Sequence, residues 1–244
     1  LKSLKNIADA KSEVLESLNK KGCLIINNDT NFSQHIKSKA KKLGIQNIIT
    51  YGKGNENNIR LLNFSLSNKK YLVEALCYGK KISWLMPSLG EHWLHNSLSI
   101  LGLATYFKID FTEILGALSS FEVPQGRGNI INLRYKDRCF ILIDDSYNSN
   151  PASLIASLKS FSKLKVIGKK ILVLGDMLEL GEESKEIHKG LGKKIEEFQY
   201  NILYTVGKNM LEMSKVLKNI KYKYHDDNLN SIAENILKSL ESGD

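Results

Sequence analysis

Residues 142–151, LIDDSYNSNP, set two adjacent carboxylates, Asp144 and Asp145, against the end of the apolar run CFILI (139–143). Small hydrogen-bonding side chains and Tyr147 follow, and then Pro151. Asp, Ser and Asn make turns, and Asn150–Pro151 suits a helix N-cap and first helical position. A turn accounts for Ser149 and Asn150. It accounts less well for two anions at the mouth of a strand, where the other reading is a ligand role. Two further strand ends carry polar or flexible groups: Gly175 and Asp176 after KILVL (170–174), and Gly207 after NILYTV (201–206). His92 and Asn96, four apart, fall on one face of an otherwise apolar segment. By themselves they read as a buried, structurally satisfied pair.

These residues need elements to hold them. The spacing of Leu4, Ile7, Ala8, Val14, Leu15 and Leu18 predicts a helix over 4–18. GCLII (22–26) and NIITYG (47–52) read as strands, with a helix through Ile36, Ala40 and Leu43 between them. Strand-like segments follow near 58–65, 70–77 and 81–86, then helices at 90–107 and near 111–120. VPQGRG (123–128) is the best linker, with a proline beside two glycines. Beyond it, strands at 130–135, 139–143, 170–174, 201–206 and 221–225 alternate with helices near 151–164, 183–198, 208–217 and 228–240. Continuous apolar strands alternating with amphipathic helices predict a parallel, doubly wound sheet. If all these strands are parallel, Asp144, Asp145, Asp176 and Gly207 converge on one rim.

The bulk numbers exclude several classes. A chain of 244 residues with 42% hydrophobic and 25% charged content is an ordinary globular composition. No apolar run is long enough to span a bilayer, and the mixed-charge start is not a secretory signal. Cys23, Cys77 and Cys139 lie in or near apolar runs without metal-ligand spacing, and read as reduced core thiols of a cytoplasmic protein. The net charge of +9 comes almost wholly from scattered lysines, without a basic stripe interleaved with aromatics. That argues against nucleic-acid binding.

LIDDSYNSNPASLIASLKSF together with ILVLGDMLELGEESKEIHKGLG (171–192) resembles the C-terminal domain of the Mur ligase family. The likeness continues upstream through PQGRG, GEHWLHNSL and LKSLKNIADAKSEVLESL, so it covers essentially the whole chain. The D-D-S-Y-N-x-N-P and L-G-D-M-x-E-L-G stretches resemble the branch that adds D-alanyl-D-alanine to a UDP-N-acetylmuramoyl-tripeptide. The resemblance implies an α/β chain: a partial central ATPase domain over 1–124, and a Rossmann-like, mostly parallel ligase domain over 125–244. It implies an ATP-dependent amide ligase of peptidoglycan precursor synthesis, working through an acyl phosphate with Mg2+. The complete enzyme is expected to be monomeric and cytoplasmic.

The same resemblance implies residue roles. Lys11 in ADAKSEV falls where the family has a carbamylated lysine, whose carbamate offers magnesium an oxygen ligand. By itself Lys11 is a solvated helix lysine. His92 and Asn96 match an adenine-side motif, which this chain breaks at Trp93. Arg127 matches an arginine that reaches nucleotide phosphate, and Asp145 a carboxylate on the ATP ribose, with Tyr147 beside the nucleotide. Asn148 and Asn150 are expected on the substrate side. Asp176 and Glu179 are candidates for the amine substrate or for capping the next helix. His188 is expected to be structural or solvated rather than catalytic.

One family feature has no match: no stretch fits the phosphate-cradling G-x-x-x-x-G-K-[ST] loop, and YGKGNENN (51–58) has the wrong spacing. The expectation is therefore a central-to-C-terminal part of a longer ligase, truncated at its end and inactive alone. The alternatives are a non-catalytic nucleotide- or dipeptide-binding module, or a sister ligase adding another amino acid.

Overall fold

The computed structural model of the protein describes residues 3–67, 70–87 and 90–244. The chain divides into two compact units, Leu1–Glu122 and Val123–Asp244.

The first unit is a five-stranded mixed sheet in the order β1 (Cys23–Asn27), β2 (Asn47–Gly52), β3 (Ile59–Ser67), β4 (Lys70–Cys77) and β5 (Lys80–Pro87). β1, β2 and β3 pair in parallel, and β3, β4 and β5 antiparallel. The period of two along β2 sorts its apolar residues between two cores. Ile49 joins Leu94, Leu98 and Leu101 of α3 (Gly90–Phe107), while Ile48 packs with Leu15, Ala40 and Ile45 on the other side. Ala40 belongs to α2 (Ser33–Lys42), and α4 (Phe111–Ser119) contributes Leu118 to the α3 core.

The predicted helix over 4–18 is shorter. α1 covers Leu4–Ser12, and a 3-10 turn covers Glu13–Glu16. The Ser12 hydroxyl donates to the Asp9 carbonyl at 2.7 Å, a local bond that competes with the helical ladder. Val14 is left exposed.

The second unit holds a three-stranded parallel sheet in the order β10-β9-β8, from β8 (Ile171–Gly175), β9 (Ile202–Val206) and β10 (Tyr222–His225). Leu172, Leu174 and Leu203 pack against α5 (Pro151–Ser162), α6 (Ser184–Ile195) and α7 (Lys208–Val216). Tyr204 points to the opposite face, where its hydroxyl meets Ser239 of α8 (Leu229–Ser239) at 3.1 Å. Helices therefore cover both faces, as a doubly wound parallel sheet requires.

The two strands before α5 do not join that sheet. β6 (Asn129–Tyr135) and β7 (Arg138–Asp144) form a separate antiparallel hairpin, with Asn129 opposite Asp144 and Tyr135 opposite Arg138. Only Lys136 and Asp137 connect them, and a parallel pair needs a crossover of a dozen or more residues. Lys136 adopts φ 55° to close the turn. The apolar run CFILI is consequently not a buried central strand: Ile141 and Leu142 are exposed, and Cys139 is an exposed thiol rather than a core one. Cys77 is buried and Cys23 partly so, and burial pushes both thiols above the ordinary range. On the outer edge of β7, the Gly243 N–H donates to the Cys139 carbonyl and the Ile141 N–H to the Asp244 carbonyl. No helix among the described residues is long and apolar enough to cross a membrane.

Candidate functional site

The hairpin brings the two most unusual short stretches of the sequence together. Its ladder continues past Asn129 and Asp144: the Gly128 N–H donates to the Asp144 carbonyl at 2.7 Å, and the Tyr147 N–H to the Gly126 carbonyl at 2.9 Å. QGRG and DDSY are thus stitched together by main-chain bonds. Gly126 has φ 76°, and a side chain there would put its Cβ 3.0 Å from the Tyr147 Cβ. Only glycine suits both the conformation and the approach.

At this hairpin end the Arg127 guanidinium carbon lies 4.4 Å from the centroid of the Tyr147 ring. Tyr147 is 69% exposed and Arg127 is exposed too, so an aromatic residue and a cation stand together at the surface. Asp144 folds back on itself: its carboxylate accepts from the Ser146 hydroxyl at 2.6 Å and the Ser146 N–H at 3.2 Å. Asp145 is exposed and accepts from the Ser157 hydroxyl of α5. Ser157 was not singled out from the sequence. Its signal was the helical spacing of Asn150, Leu154 and Ser157 behind the turn.

Asn150 is the N-cap of α5. Its side-chain oxygen accepts from the Ala152 and Ser153 N–H groups, and the Ser153 hydroxyl accepts from the Asn150 N–H. Asn148 is exposed in the turn before it.

Asp144 and Asp145 are not on the rim of the parallel sheet, because β7 lies in the hairpin. Asp176 and Gly207 are: Gly175 stands opposite Val206, so the residues after them leave the same carboxyl edge. The Asp176 carboxylate caps α7, accepting from the Met210 N–H at 2.7 Å and the Asn209 N–H at 3.2 Å. Its anion sits at the positive end of that helix. The helix capped is α7, not the next one in sequence, α6. Glu179 is exposed, with φ 61°.

In the first unit, His92 and Asn96 are both exposed, so the buried-pair reading is wrong. The core face of α3 is instead Leu94, Ser97, Leu98, Leu101 and Ala104. The His92 ring lies 5.3 Å from Trp93, which itself packs against Phe121. Lys11 is exposed in the last turn of α1. Among the described residues, no three His, Cys, Asp or Glu side chains cluster as a metal-ligand set.

Two family models match: the Mur ligase middle domain over residues 1–104, and the Mur ligase, glutamate ligase domain over residues 126–244. The chain belongs to the Mur ligase family. Among curated relatives, the UDP-N-acetylmuramoyl-tripeptide–D-alanyl-D-alanine ligase of Buchnera aphidicola subsp. Baizongia pistaciae is 33% identical over 93% of this chain and 48% of its own length. The ligase of the same name from Bacillus subtilis is 32% identical over 85% of this chain and 43% of its own. This Mur ligase chain spans about half the length of the curated relatives it matches. Among solved structures, MurF from Acinetobacter baumannii superposes with a TM-score of 0.80 at 22% identity, covering 96% of this chain and 49% of that one. MurF from Thermotoga maritima in complex with ADP gives 0.77 at 21% identity, covering 99% and 53%. These two likenesses establish the mixed α/β Mur ligase fold.

Proposed function

We propose that the gene product carrying this chain is an ATP-dependent carbon–nitrogen ligase. In this reading it joins D-alanyl-D-alanine to a UDP-N-acetylmuramoyl-tripeptide, a cytoplasmic step in peptidoglycan precursor synthesis. The observation that carries it is the hairpin end, where Arg127 stands over the Tyr147 ring and Asp145, two residues before Tyr147, bonds Ser157 of the capped helix α5. A guanidinium suits phosphate, an exposed ring offers a stacking face, and a carboxylate accepts from ribose hydroxyls. The names of the relatives supply the substrates.

The remaining roles follow the chemistry of each group. The tripeptide carboxylate takes the γ-phosphoryl group and ADP leaves. The dipeptide amine then attacks the acyl carbon, phosphate departs, and the amine loses a proton. Arg127 neutralises phosphate charge. His92 and Asn96 offer solvent-facing polar groups to adenine. Asn148, Asn150, Asp176 and Glu179 face the amine substrate. Asn150 and Asp176 also cap helices, so they would act partly by fixing local backbone. Mg2+ would offset phosphate charge when bound. Lys11 stands exposed, where carbon dioxide can reach its amine, and its carbamate would give the hard oxygen donor that magnesium takes.

The test is phosphate release from ATP by the full-length gene product. Release is expected to require both the UDP-N-acetylmuramoyl-tripeptide and D-alanyl-D-alanine. Release that follows a single amino acid instead would assign a sister ligase. Nucleotide binding without turnover would leave a binding module.

A further inference from the structure

One side chain outside the proposed site has an environment more specific than packing requires. His188 of α6 is fully buried. Its Nδ1 lies 2.7 Å from the Ser184 carbonyl, and its Nε2 accepts from the Met177 N–H at 3.0 Å. A carbonyl can only accept and a main-chain N–H can only donate. The two partners therefore fix a neutral imidazole with its proton on Nδ1.

The bond to Met177 reaches the turn that follows β8. Met177 is buried beside the imidazole, while Leu178 is 78% exposed and Glu179 is exposed with φ 61°. A non-glycine residue in the left-handed region persists only where its surroundings over-determine it. Here they do. Asp176 on one side of the turn is tied to the N-terminus of α7, and Asn209 donates from its side chain to both Asp176 and the Ser184 hydroxyl at 3.3 Å. Ser184, His188, Met177, Asp176 and Asn209 close a ring of bonds under the exposed residues.

We propose that His188 is a positioning residue. It holds the Met177–Leu180 turn in the strained shape that offers Leu178 and Glu179 together to the amine substrate. Leu178 supplies an apolar contact for a small side chain, and Glu179 an anion for the ammonium group. This rests on the ligase reading above. An apolar residue at position 188 would fill the same space but leave the Met177 N–H buried without a partner.

The experiment compares His188→Leu with His188→Gln in the full-length gene product. His188→Leu should raise the KM for D-alanyl-D-alanine about tenfold or more while the KM for ATP stays within about twofold. His188→Gln, which can accept and donate, should recover much of that loss. Leu178→Ser and Glu179→Gln should raise the same KM with no change in thermal stability. Should the His188 variants not fold, these two variants and the wild-type imidazole spectrum still decide the matter. Nitrogen-15 NMR should show a protonated Nδ1 and a bare Nε2. An unmoved dipeptide KM in the turn variants, a fall confined to kcat in the His188 variants, or an Nε2-protonated ring overturns the proposal. Wild-type protein that turns over ATP without responding to the dipeptide overturns the ligase reading instead, whatever tautomer the spectrum shows.

Discussion

Arg127 and Tyr147, twenty residues apart in sequence, meet with the guanidinium over the phenol ring at 4.4 Å. The contact exists because main-chain bonds on either side stitch their strands together, from Gly128 to Asp144 and from Tyr147 to Gly126. An exposed cation–π contact contributes only about 0.5–1 kcal/mol. Its value lies in holding a cation and a stacking face in one orientation.

Arg127→Ala should therefore cost about 1 kcal/mol or less of stability and a much larger share of ATP affinity. Arg127→Lys should keep charge but lose the planar stacking, and so fall between. Calorimetric titration with ATP beside thermal melts separates the two effects. Equal ATP affinity in all three proteins would remove Arg127 from the nucleotide site.

Asp145 and Asn150 sit five residues apart but should fail differently. Asp145→Ala removes an exposed carboxylate, and is expected to weaken ATP binding roughly tenfold or more. That is the scale of a hydrogen bond to a charged group, roughly 1.5–3 kcal/mol. Asn150→Ala removes the α5 cap and should cost about 1 kcal/mol in urea denaturation. A stability loss for Asp145→Ala with unchanged nucleotide affinity would reassign that carboxylate to the fold.

Gly207 and Asp176 should prove coupled. Gly207 has φ 97°, and a Cβ there would lie 2.5 Å from the Asp176 carboxyl carbon. Gly207→Ala should destabilise by about 2 kcal/mol or more, from strain and collision combined. Asp176→Ala alone should cost about 1 kcal/mol through the lost α7 cap. In the double variant the collision is gone, so the sum of the single losses should exceed the measured loss. Simple additivity would show that backbone strain alone sets the glycine.

Tyr200 predicts a change at high pH. Burial, with Glu196 nearby, pushes its phenol up to about 12, and its buried hydroxyl has no hydrogen-bond partner among the described residues. Its folded pKa lies above the unfolded value near 10, so the contribution is present below pH 10 and is lost as pH rises towards 12. Tyr200→Phe should flatten that part of the stability curve and cost little at pH 7, since no hydrogen bond is lost. An identical alkaline limb in both proteins would show that other groups govern it.

The candidate site was only partly legible in the sequence. Asn150–Pro151 announced a capped helix, because capping depends on residues adjacent in the chain. CFILI has the composition of a buried parallel strand yet forms a hairpin, because composition is silent on pairing direction. The two-residue connection at Lys136–Asp137 was the available signal. Buried or exposed, His92 and Asn96 keep the same spacing. Only the packing of Leu94, Leu98 and Leu101 turns them to solvent.

Local pattern and motif carry the Mur ligase family, the α/β alternation, nearly all the elements and the Asn150 cap of α5. Tertiary structure alone decided that QGRG and DDSY form one hairpin end, that Asp176 caps α7, and that His188 holds the turn after β8. Each of these joins groups distant in sequence or fixes a direction across space, and neither spacing nor residue type records that.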